Sequence, residues 1–171
     1  MDHDAQTVSH AKQQAYRLLA YRSQTSSELR DRLQRRGYTA PIIDEVLRQL
    51  TADGYIDDRK VALEWARYRV QARPLGRRRL AWELQRRGVP LESVEEVLCE
   101  VYSEFDELTL AEQALRRRLR SKELPRSTRE RQQHASYLFS LGFDTDTIAA
   151  ALAAIFPPMA TLDIISDDDP C

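Results

Sequence analysis

The sequence predicts an all-α protein built from three tandem three-helix repeats. Three features lead there: sparse glycine and proline punctuation, an apolar period of three and four, and a repeated pentapeptide. The five glycines (Gly37, Gly54, Gly76, Gly88, Gly142) and seven prolines fall between periodic segments and interrupt none of them. Glycine accepts the left-handed stop of a helix and proline tolerates the first turn, so this is helix punctuation. No segment alternates with period two for long enough to suggest a strand.

The repeat emerges when three glycines are aligned. Leu33-Gln34-Arg35-Arg36-Gly37 recurs unchanged as Leu84-Gln85-Arg86-Arg87-Gly88. Leu29 and Leu80 stand at the same distance before these glycines, and Ile43, Val46 and Leu47 match Val94, Val97 and Leu98 after them. A fainter third copy has Leu138 before Gly142, then Ile148, Ala151 and Leu152. The glycines lie 51 and 54 residues apart. Such self-similarity indicates stacked supersecondary units.

The spacing places helices near 12–22, 26–36 and 41–53, then 58–73, 77–87 and 91–105, then 108–121, 127–141 and 145–155. Thr25 with Glu28 fits a capping box. Asp57 or Asp58 can cap the fourth helix, and Thr39 and Asp144 stand where the next helix needs a cap. The organisation is then a flexible N-terminus (1–10), repeat 1 (11–54), repeat 2 (55–106), repeat 3 (107–156), and an acidic, proline-broken tail (157–171) expected to be disordered. Stacked units contact their neighbours only, which predicts an elongated monomer.

Among the 171 residues, 42% are hydrophobic, enough for a real core. No apolar run reaches the ~18 residues of a membrane span. The acidic start Met1-Asp2-His3-Asp4 has no apolar run after it, so no secretory leader is expected. Cys99 and Cys171 make neither a disulfide framework nor a metal spacing; reduced thiols in a cytoplasmic protein are the expectation. The histidines (His3, His10, His134) are scattered, and no phosphate loop, metal spacing or nucleophile elbow occurs. No cofactor and no catalysis are expected; binding a partner is.

The net charge of −1 conceals a strong asymmetry. Arg59 to Arg87 holds ten bases against Glu64 and Glu83, whereas Glu92 to Glu107 holds seven acids and no base. Bases dominate again from Arg116 to Arg131, and none follows. One reading is that oppositely charged neighbouring helices attract one another within the stack. A sharper one concerns 77–87. Leu80 and Leu84 mark its core face, while Trp82, equivalent to Asp31 and Ser136, falls on the surface side. Arg78 and Arg86 flank Trp82 at i−4 and i+4, and Arg77 and Arg79 add charge at the helix start. Aromatics among arginines suit phosphate contact with base stacking, or an anchor in a protein interface. The competing reading packs Trp82 between units. Trp65, sharing a face with Val61 and Ala62, reads as core.

The helix–glycine turn–helix pattern of each unit looks like a helix-turn-helix DNA reader, but electrostatics oppose that. A reading helix lies among phosphates. The helix after Gly88 carries Glu92, Glu95, Glu96 and Glu100, and the one after Gly37 carries Asp44 and Glu45. The candidate partner- or nucleic-acid-binding residues are Arg73, Arg77, Arg78, Arg79, Trp82, Arg86 and Arg87, with Arg35 and Arg36 in the equivalent turn and Arg116 and Arg117 in the third unit.

The chain resembles the RecX family, bacterial regulators of the RecA recombinase. The segments that carry the resemblance are Ala15 to Leu19, Ser27-Glu28-Leu29 through Leu33 to Gly37, Gly54-Tyr55-Ile56-Asp57-Asp58, Gly76-Arg77-Arg78-Arg79-Leu80 through Leu84 to Val89, and Leu138 through Gly142-Phe143 to Ile148. The match runs from about residue 11 to 155. The third unit departs from it by lacking a tryptophan near its start. The resemblance implies a curved array that binds along the groove of the RecA–DNA filament. It also implies restraint of filament growth, strand exchange and linked ATPase activity, with single-stranded DNA contacted directly or within the filament. The alternative from the residues alone is a stand-alone nonspecific nucleic-acid binder using 67–87 and 116–131.

Overall fold

The computed structural model describes residues 2–119 and 128–156, and within them the chain forms nine helices and no strand. Unit 1 holds α1 (Asp2–Tyr21), α2 (Ser26–Gln34) and α3 (Ala40–Ala52); unit 2 holds α4 (Asp58–Ala72), α5 (Arg77–Arg86) and α6 (Leu91–Glu104). Unit 3 holds α7 (Glu107–Leu119), α8 (Thr128–Ser140) and α9 (Thr145–Ile155). The acidic tail lies outside the described residues. Most boundaries fall within two residues of the expected ones, because they are set by local chemistry. Asp57 caps α4 by accepting from Lys60 N at 2.9 Å, and Asp144 caps α9 by accepting from Thr147 N at 2.7 Å. Thr39 makes no side-chain cap; Pro41 in the first turn of α3 removes one donor that would need it. The exception is α1. Residues 2–10, expected to be flexible, are helical: Val8 packs on the core formed by Ala11, Ala15 and Leu18, and His10 is 2.8 Å from the Tyr38 hydroxyl.

In each unit the first and third helices pack most extensively, and the second leans across them. Residues at equal distance from the three glycines fill equal slots: Leu33, Leu84 and Leu138 are fully buried, as are Val46, Val97 and Ala151. His134 occupies in unit 3 the slot of Leu29 and Leu80, its ring 5.4 Å from that of the buried Phe156. This substitution is why the third copy is faint in sequence. Unit 1 has a core of its own, whereas units 2 and 3 share one continuous core.

The units are joined by one device used twice. The residue that opens the second helix of one unit bonds to the glycine turn of the next. Thr25 Oγ1 donates to Arg87 O at 3.0 Å, and Gly76 N donates to Leu141 O at 3.0 Å. The following backbone N–H is taken by the first residue of the next unit's first helix. Ser26 N donates to Asp58 Oδ1 at 2.6 Å, and Arg77 N donates to Glu107 Oε1 at 2.9 Å. Arg78 N adds a bond to Gly142 O at 3.2 Å. Helix starts leave donors without intrahelical partners, and here the neighbouring unit supplies the acceptors. The approach leaves no room for side chains. A β-carbon on Gly88 would collide with Ser27, and one on Gly76 with the Gly142 backbone. Helix α5 is thus gripped at both ends, its start by unit 3 and its closing turn by unit 1.

Gly37 and Gly88 separate the two roles of the turn glycine. Both have positive φ, +87° and +76°, but only Gly88 faces a neighbour. Gly37→Ala should cost about 1–2 kcal/mol, the left-handed penalty alone. Gly88→Ala should cost more, with Ser27→Gly recovering the excess. Urea denaturation showing equal losses at both glycines would contradict the joint.

Candidate functional site

Much of the charge asymmetry is spent inside the fold. Arg59 of α4 bonds to Glu96 at 3.0 Å and Glu100 at 2.8 Å of α6, and Arg67 bonds to Glu100 at 3.0 Å and to Glu104. Two of the four acids that argue against α6 as a DNA reader, Glu96 and Glu100, are therefore partners of α4. Asp58 likewise serves α2, not its own helix, so only Asp57 is a helix-start charge in the ordinary sense.

The candidate band lies on α5. Trp82 is 44% exposed, and the guanidinium carbons of Arg79 and Arg86 lie 4.5 and 4.8 Å from its ring centroid. The ring therefore serves as a platform that holds two arginine heads, rather than as packing between units. Arg78 does not lie against Trp82, as its i−4 position suggests; it sits 4.6 Å over Phe139 of α8, itself 50% exposed. The result is a band of two exposed aromatics and three arginines along α5 and the end of α8. Cation–π contacts at such exposed sites are each worth about 0.5–1 kcal/mol, enough to help orient the guanidinium heads.

Three other arginines of the region are structural. Arg77 pairs with Glu107 at 3.3 Å and lies 4.8 Å over Tyr102, whose hydroxyl donates to Leu75 O at 2.9 Å. Burial pushes the Glu107 carboxyl up, while Arg77 draws it down. That acid offsets the unfavourable positive charge at the start of α5. Arg69 of α4 and Arg79 converge on Glu83 at 2.8 and 3.0 Å. Burial raises the Glu83 carboxyl, but hydrogen bonds from Arg69 and Arg79 outweigh it and hold the group below its ordinary range. Arg87 is turned into the joint between units 1 and 2: it pairs with Glu28 at 2.6 Å, lies 4.6 Å over Trp65, and burial lowers its pKa.

The other candidates lie apart from this band. Arg73 is exposed at the end of α4. Arg35 and Arg36 are exposed in the turn after α2. Arg116 pairs with Glu112 at 3.3 Å, and Arg117 is exposed beside it on α7. Phe139 was missed by sequence reasoning, although a signal existed: it stands where the other units have Gln34 and Gln85. The described residues contain no group of His, Cys, Asp or Glu that could hold a metal ion. They include no helix long and apolar enough to cross a membrane.

Known proteins share this architecture. Residues 11–50 match the family description "RecX, first three-helix domain", and residues 57–98 match "RecX, second three-helix domain". The regulatory protein RecX of Pelodictyon phaeoclathratiforme is 32% identical over 158 residues, spanning 92% of each chain. The chain belongs to the RecX family. The regulatory protein RecX of Halorhodospira halophila is 38% identical over 140 residues, 82% of this chain and 84% of its own. The crystal structure of RecX from Lactobacillus salivarius superposes with a TM-score of 0.75 over 88% of this chain and 97% of its own, at 20% identity. These relatives are regulatory proteins by name. The two family matches cover units 1 and 2, the units joined through Arg87.

The Glu83 clamp gives this RecX chain a defined acid response. A carboxyl held below its ordinary value of 4.5 contributes stability in full above that value and loses it as pH falls through the lower, folded value. The stability difference between the parent and Glu83→Gln should therefore shrink as pH is lowered from about 7 to 3. A difference that stays constant in urea titrations across that range would mean the clamp does not form.

Proposed function

We propose that this chain binds the RecA–DNA filament through the α5–α8 band and restrains filament growth, strand exchange and linked ATPase activity. Family membership supports the regulatory role. The observation that carries the surface is Trp82: a large aromatic left half exposed, with Arg79 and Arg86 held on its ring and Arg78 on the neighbouring Phe139. Guanidinium groups fixed in this way lose little freedom on meeting phosphate or carboxylate, and arginine forms bidentate bonds with both. DNA is contacted within the filament, and the protein acts as a cytoplasmic monomer.

The test is RecA assembly on single-stranded DNA, followed by ATPase rate and filament length, with parent protein, Trp82→Ala and the double variant Arg78→Ala/Arg86→Ala. Arg78 and Arg86 are chosen because, unlike Arg77 and Arg79, they have no ion-pair partner among the described residues. Both variants should stay folded, Trp82→Ala losing far less than the about 3–5 kcal/mol of a buried tryptophan. Both should restrain RecA less. Each lost phosphate contact should flatten the salt dependence of binding by about 0.7 log unit per log unit of salt. Variants as active as the parent would remove the band from the account. A parent that binds bare DNA tightly and leaves RecA unaffected would instead identify a stand-alone nucleic-acid binder.

A further inference from the structure

Unit 1 carries a turn that has no seat among the described residues. Its pentapeptide 33–37 is identical to 84–88, and the two close their helices in the same way. Gly37 N donates to Gln34 O at 2.9 Å, and Gly88 N donates to Gln85 O at 2.8 Å. Tyr38 N and Val89 N reach the carbonyls of Leu33 and Leu84 at 3.3 and 3.2 Å. The second copy is seated on the start of α2. Thr25 bonds to Arg87 O, Glu28 pairs with the Arg87 guanidinium at 2.6 Å, and Ser27 covers Gly88. That seat has the form of a hydroxyl N-cap with glutamate three residues later. The turn at Leu141-Gly142 is also seated, on the start of α5.

The first copy has none of this. Arg35, Arg36 and Gly37 are exposed, and nothing lies within 4 Å of the place a Gly37 β-carbon would occupy. Neither arginine has an ion-pair partner among the described residues, and the starts of α2 and α5 are already filled. Among the described residues, this copy of the docking element is therefore unused.

We infer that the Arg35-Arg36-Gly37 turn docks onto a protein partner at a helix start with a hydroxyl N-cap and a glutamate three residues on. Arg36 would take the place of Arg87 on that glutamate, and Gly37 would sit against the first turn. The inference rests on the filament-binding reading, which puts the seat on RecA and not on DNA.

Full-length Gly37→Asn and Arg36→Ala test it. Asparagine tolerates the left-handed backbone, so Gly37→Asn keeps the helix stop while its side chain obstructs close approach. Both variants should melt with the parent and bind RecA filaments about tenfold more weakly, the order of a lost charged hydrogen bond. Affinity of Gly37→Asn for bare single-stranded DNA should be unchanged. A photoreactive residue at position 36 should crosslink to a Ser/Thr-x-x-Glu helix start of RecA. Unchanged filament binding, an equal loss on bare DNA, or crosslinks to DNA or to a second copy of this chain would overturn the inference. A parent that fails to bind the filament at all would overturn the functional reading along with it, and is told apart from variant-specific loss by that control.

Discussion

The close meeting of a glycine turn with a helix start is the contact on which the rest of the structure depends. A helix start offers free N–H groups, a helix end offers free carbonyls, and each must find a partner when buried. Here the ends of successive units satisfy one another, which demands backbone contact and hence the absence of a side chain at Gly76, Gly88 and Gly142. Because α5 takes part in both joints, its orientation is fixed relative to all three units. Trp82 lies midway between the two, so the surface proposed for binding rides on the most constrained helix of the array.

The two joints are built alike but packed differently. Between units 2 and 3, Leu75, Leu141 and Phe143 join one core, and the hydrogen bonds are sheltered by apolar neighbours. Between units 1 and 2 the hydrogen bonds and ion pairs come from Thr25, Ser26, Glu28, Asp58 and Arg87, while Ile56 packs into the core of unit 1 and Tyr55 meets Tyr16 edge to face. Polar contacts exchange bonds with water at little net gain, so the apolar part of this joint rests on the segment 55–56 and not on a shared core. Unit 1 also differs in that its own glycine turn meets no neighbour among the described residues. The charge ladder between α4 and α6 is exposed, and such pairs are each worth about 0–1 kcal/mol. It orients the two helices more than it stabilises them, and Arg78 and Arg86 of α5 stand outside it, with no ion-pair partner among the described residues.

The helices were legible because each is set by local signals: period, cap and stop. Leu33, Leu84 and Leu138 could be placed in the core from spacing alone. The start of α1 was not legible, since the residues before His10 carry no apolar period; of them, Val8 packs on the core of unit 1. Trp82 was placed at the surface by comparison with Asp31 and Ser136, and that comparison works because equivalent positions in a repeat share an environment. The partners of its arginines were not, because Arg78 could reach Phe139 only once unit 3 had docked. Asp58 read as a possible cap for its own helix, and Glu107 only as one of a run of acids; that both clasp the preceding unit depends on tertiary geometry that no spacing encodes. The likeness to RecX was carried by Gly54 to Asp58 and Gly76 to Leu80, and these segments lie at or beside the joints.

The central claim, that the α5–α8 band faces the filament, is tested most directly by electron cryomicroscopy of RecA filaments on single-stranded DNA saturated with this protein. The account predicts density for the array in the filament groove, with Trp82, Arg78 and Arg86 against DNA phosphates or RecA carboxylates and the α4–α6 ladder turned outward. An array bound through α4 and α6, or found only on protein-free DNA, would contradict it.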